Sequence, residues 1–120
     1  MKPPTYISIV LDKIRIEYLS EEIRDKIIKL GLSIEKDKSN RDAIPFKNEG
    51  DLHTNQDFIN IFSLLNKAGI AFGEDYKQMY SPAESMRTLQ SQGKITAPFT
   101  SIAWKGPGEW FTTVNVKPPN

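Results

Sequence analysis

Tyr6-Ile7-Ser8-Ile9-Val10-Leu11-Asp12-Lys13-Ile14-Arg15-Ile16-Glu17-Tyr18-Leu19 carries a hydrophobic pattern of period two. Ile14, Ile16 and Tyr18 alternate with Lys13, Arg15 and Glu17. Successive side chains of a strand point to opposite faces, so β-branched residues at every second position predict a half-buried strand. Tyr6 to Leu11 is a second strand-like run, and Asp12-Lys13 between them suits a tight turn. The product is a β-hairpin, with one long strand as the competing reading.

A second hairpin is predicted near residue 100. Phe99 to Trp104 and Glu109 to Val116 are strand-like and flank Lys105-Gly106-Pro107-Gly108, a turn composition. Trp110, Thr112, Val114 and Val116 would share one face, with Phe111, Thr113 and Asn115 on the other.

The segment between the hairpins reads mostly as helix. Ser20-Glu21-Glu22 is a helix start, because the Ser oxygen accepts from a first-turn N–H and the carboxylates face the positive end of the dipole. Ile23, Ile27 and Leu30 make its apolar stripe and Gly31 its stop. A second helix opens with Thr54 as cap and Asp57 as capping acid, buries Phe58, Ile61, Phe62 and Leu65, and stops at Gly69. A third starts at Ser81-Pro82-Ala83-Glu84 and runs through Met86 and Leu89 to Gly93. Leu32 to Glu35 suits a short strand, residues 36–50 read as a long exposed connection, and Gly69 to Tyr80 reads as a surface loop.

Parallel strands need crossover connections, and these helices are grouped between two hairpins. The predicted fold is therefore α+β: an antiparallel sheet made by the N- and C-terminal hairpins, with about three helices packed on one face, in a single domain spanning residues 1–120.

Composition narrows the function classes. The chain has 16 Lys and Arg against 15 Asp and Glu, a formal charge of +1, with both signs scattered. A dedicated nucleic-acid binder usually carries a basic block, so this balance argues against a nucleic-acid partner. With no cysteine, thiolate metal sites and thiol nucleophiles are excluded, and with one histidine a structural zinc site has too few ligands. No metal or cofactor is expected. The start of the sequence lacks a run of about 7 to 15 apolar residues of the kind a signal peptide needs, and no stretch approaches the ~20 of a membrane span. A cytoplasmic protein without membrane association is the default expectation.

Two groups of residues are candidate sites. Glu74, Asp75, Tyr76 and Tyr80 combine acids and aromatics in a loop, and Trp104 and Trp110 crowd around the second hairpin turn; such residues anchor protein interfaces. The other group surrounds the single histidine, His53, with Glu49, Asp51 and Asp57 near it in sequence, a set suited to general-base or ligand-binding chemistry. Against that reading, a histidine just before a helix start is ordinarily a surface residue beside acids that favour the helix. The glycine-rich turn at Lys105 to Gly108 lacks the strand-to-helix context of a phosphate loop, and no Gly-x-Ser-x-Gly elbow occurs.

In being short and free of cysteine, of a targeting segment and of catalytic motifs, the chain resembles, at the level of class, the bacterial immunity proteins that protect a cell from toxins. The resemblance implies a non-enzymatic, protein-binding role: a toxin domain as partner, neutralised by occlusion of its active site or substrate surface. The alternative expectations are a small enzyme or ligand-binding domain built on His53, and a nucleic-acid adaptor using Trp104, Trp110, Lys94 and Lys105.

Overall fold

The computed structural model describes residues 4–10, 13–47, 50–74, 81–104 and 111–119. Alternation in the first hairpin does what its period requires. Strands β1 (Tyr6–Val10) and β2 (Lys13–Glu17) pair antiparallel, with Ile7 opposite Ile16 and Ile9 opposite Ile14. All four isoleucines are buried, and burying each from water is worth roughly 1.5–3 kcal/mol. Val10 pairs with Lys13, so the hairpin reading holds and the single long strand does not; Asp12 of the expected turn lies outside the described residues. Tyr18 departs from the pattern. The strand stops at Glu17, and Tyr18 turns out of it with φ +56°, its side chain exposed and its carbonyl accepting from Thr5 Oγ1 at 2.7 Å.

Helix α1 (Glu21–Lys29) is capped by Ser20, whose Oγ accepts from the Ile23 N–H at 3.3 Å. Residues 36–50 are not the exposed connection that their polarity suggested. A two-residue strand β3 (Glu35–Lys36) and strand β4 (Asp42–Pro45) form an antiparallel pair, and Ala43, Ile44 and Phe46 are buried. The turn between them is closed by Asp37, whose Oδ1 accepts from the N–H groups of Ser39 and Arg41, both at 2.9 Å. Asn40 supplies the left-handed residue this turn needs, at φ +61°.

Helix α2 (Gln56–Lys67) begins one residue later than expected. Asn55, not Thr54, is its cap, its Oδ1 accepting from the N–H groups of Asp57 and Phe58, while Thr54 closes a preceding 3-10 turn (Leu52–Thr54). Asp57 therefore sits in the first turn and accepts from the Lys47 N–H at 3.3 Å rather than completing a capping box. Helix α3 (Pro82–Ser91) starts as expected, with Ser81 Oγ accepting from the Glu84 N–H at 3.0 Å.

The composition of Gly69 to Tyr80 predicts a surface loop, yet Ala71–Gly73 is a buried strand, β5, in the middle of the sheet; residues 75–80 lie outside the described residues. It pairs in parallel with β1 on one side and with β6 (Phe99–Trp104) on the other. The seven strands run in the order β3-β4-β2-β1-β5-β6-β7, with β7 (Phe111–Val116) antiparallel to β6 as the second hairpin requires. The α+β class holds, but the sheet is mixed rather than wholly antiparallel, because β5, α3 and β6 form a crossover unit.

The core lies on the sheet face carrying Ile7, Ile14 and Ile44. Phe72 shares that face with its partner Ile7 and meets Phe62 of α2 at a ring separation of 5.1 Å and Phe99 at 5.6 Å. Helix α1 is held to the same face by Arg24, which reaches Asp42 at 2.7 Å. Opposite it, Lys13 pairs with Glu35, Arg15 with Asp37 at 2.9 Å, and Arg41 with Glu17 at 2.7 Å. Their stems leave Ala43 beneath them with no exposed surface. No described helix is long and apolar enough to cross a membrane.

Candidate functional site

The 3-10 turn positions the single histidine. Asp51 caps it, accepting from the His53 N–H at 2.9 Å, and the His53 ring then turns toward α3, where Nε2 lies 3.3 Å from Ser85 Oγ. Nδ1 lies 3.5 Å from Asp51 Oδ1. Lys94 donates its Nζ to the His53 carbonyl at 2.7 Å. Neither Ser85 nor Lys94 was anticipated beside His53. The signal for Ser85 was its position on the apolar side of α3 with Met86 and Leu89, where an unpartnered hydroxyl would be costly.

An acid, a histidine and a serine in this order resemble the constellation that activates a serine nucleophile. The burial runs the wrong way for that chemistry. Ser85 is 1% exposed, whereas the Asp51 side chain is 61% exposed. A nucleophile must reach its substrate, and the orienting acid works best when shielded from water. The arrangement instead satisfies a buried hydroxyl and fastens the 3-10 turn to α3. Of the other residues predicted near His53, Asp57 is turned to the Lys47 N–H, and Glu49 lies outside the described residues.

Of the second candidate group, Glu74 and Trp104 are described, at the ends of neighbouring strands. Glu74 follows β5 directly, and its N–H donates to the Ile102 carbonyl of β6 at 2.8 Å, extending the parallel pairing by one residue. Trp104 ends β6 two residues beyond Ile102. The carboxyl ends of β5 and β6, which residues 75–80 and 105–110 follow in sequence, are therefore adjacent, at the end of parallel strands where α/β units commonly place their ligands. Asp75, Tyr76, Tyr80 and Trp110 lie outside the described residues. Glu74 is not an idle acid: its carboxylate pairs with Arg87 of α3, which also reaches Glu84 at 3.2 Å.

Two further carboxylates are tuned without being part of either group. Hydrogen bonding from the Arg41 backbone N–H, assisted by Arg15 and the Ser39 N–H, holds Asp37 below the ordinary carboxylate value of 3.8 in spite of its partial desolvation. At Asp42 desolvation pushes upward, but hydrogen bonds and charge from Arg24 and Lys36 outweigh it and the result is again lowered. Both are committed to structural ion pairs.

Comparison of the chain with protein-family models, with curated proteins and with solved structures finds no match.

Proposed function

We propose that this chain is a protein-binding module that acts in the cytoplasm and neutralises a protein partner, a toxin domain in its specific form, by covering that partner's active site or substrate surface. The observation that carries the reading is that β5 and β6, which residues 75–80 and 105–110 follow in sequence, end side by side. Tyr76, Tyr80, Trp104 and Trp110 supply the large amphipathic side chains that dominate interface energetics, and Asp75 adds an acid for a cationic partner. Because Glu74 is already engaged by Arg87, it acts as a brace for the strand end rather than as a contact. The inverted burial of Asp51 and Ser85 weighs against the enzyme reading.

Affinity purification of the tagged chain from its native cell, at moderate and at high salt, tests this. One protein should be retained at a stoichiometric ratio by the parent chain and lost from a Tyr76→Ala/Trp110→Ala double variant that keeps the parent's circular dichroism. Equal retention by the two chains, or retention of nucleic acid alone, would refute the proposal.

A further inference from the structure

The two edges of the sheet are built differently. At one, β3 is two residues long, and both are charged and paired, Glu35 with Lys13 and Lys36 with Asp42 at 3.0 Å. Short length and charge are the usual guards against edge-to-edge association. At the other, β7 is six residues long, Phe111-Thr112-Thr113-Val114-Asn115-Val116, and contains no charged residue. Thr112, Thr113, Val114 and Asn115 are all exposed, Val114 at 55%. Such a strand presents a row of backbone donors and acceptors that an added strand would satisfy.

We propose that β7 pairs antiparallel with β7 of a second copy of this chain about a two-fold axis, which joins two sheets into one. Self-pairing of a charged strand sets like charges opposite each other, a cost that this neutral, β-branched sequence does not carry. The sheet geometry also prepares a side-chain contact. Val114 and Val116 face the same side as their partners Ser101 and Phe99. On that side Gln90 of α3 reaches only as far as the Val116 carbonyl, at 3.3 Å. Val114 lies beyond that reach, where a second Val114 would cover it. The guarded β3 edge means that β7 has no complementary edge on the far side of the next molecule, so association closes at two copies and does not propagate. A six-residue strand is only ~20 Å long, and an interface of this kind falls below the roughly 1,200 Å² of stable complexes, which places dissociation on the order of micromolar or weaker. The pairing is argued from Thr112 to Val116 alone, without the residues proposed above for the partner protein, and it is read by self-association rather than by capture of another protein.

Sedimentation velocity across low-micromolar to submillimolar concentration, with amide exchange at both ends of that range, tests the pairing. The parent chain should shift from monomer to dimer while amides between residues 112 and 115 gain protection. Val114→Lys, a substitution at an exposed site, should remain monomeric throughout with unchanged circular dichroism, and Val114→Thr should still dimerise. Thr113→Lys, on the opposite face, should also stay monomeric and serves in place of Val114→Lys should that variant misfold. A parent that stays monomeric at every concentration, or a dimer as strong in both Lys variants as in the parent, would overturn the proposal. So would protection of β7 amides that appears only when a foreign protein is added, since that assigns the edge to another chain's strand.

Discussion

Gly73 shows how tightly single positions are set. A Cβ placed there would lie 2.8 Å from the Ile7 carbonyl oxygen and 3.3 Å from the Tyr6 ring, closer than atoms approach without displacement. Gly73→Ala is therefore expected to destabilise the fold by roughly 1–3 kcal/mol, the range for overpacking, as a lowered midpoint of urea unfolding. Ser85→Ala removes a hydroxyl whose partner His53 can turn to water, so the loss should be nearer ~1 kcal/mol. The acid pair Asp37 and Asp42 gives a pH dependence with a definite sign. Both titrate lower when folded than the ordinary 3.8, so their contribution to stability is complete above that value and drains away as pH falls through the lower folded values. An Asp42→Asn variant should be less stable than the parent near neutrality and should lose less stability on acidification, as followed by urea midpoints from neutral pH downward. His53 was legible as a candidate because it is the chain's single histidine, but its partners were not. Ser85 is 32 residues away and Lys94 is 41, and nothing in local pattern encodes a contact of that range.

At the scale of elements, the parts with a strong local period were readable. The first hairpin alternates strictly, and α2 repeats Phe58, Ile61, Phe62 and Leu65 along one side, all of them buried. Short, fully buried pieces were not. β5 is three residues, Ala71-Phe72-Gly73, inaccessible on both faces, so it has no alternation to detect, and its own Gly73 and the Gly69 just before it make it look like loop. β4 was hidden by its polar surroundings, because the charges of Asp37, Arg41 and Asp42 are spent on ion pairs with Arg15, Glu17 and, from helix α1, Arg24. The start of α2 falls one residue beyond the expected cap, because Thr54 and Asn55 are both good caps and the 3-10 turn takes up Thr54. Asn55→Ala should accordingly cost about 1 kcal/mol in thermal or urea unfolding, whereas Thr54→Ala should cost less.

For the whole molecule, the hierarchy of the sheet should be visible in hydrogen exchange. Amides of β1 and β5, central in the strand order, should exchange last and those of β3, a two-residue edge, first. The mixed sheet has a further consequence for how the chain reaches this state. Each hairpin can form from neighbouring residues, and so can β3 with β4, but among the described strands the two ends of the sheet meet only through β5, which pairs with β1 at Tyr6 and Ile7 and with β6 at Ser101 and Ile102. Those pairings are long-range, and the closure entropy of the intervening chain must be met before they give anything back. The kinetic barrier to refolding should then sit at this three-residue keystone: weakening Phe72 should slow the search itself, while weakening either hairpin turn should mainly hasten escape from the finished fold.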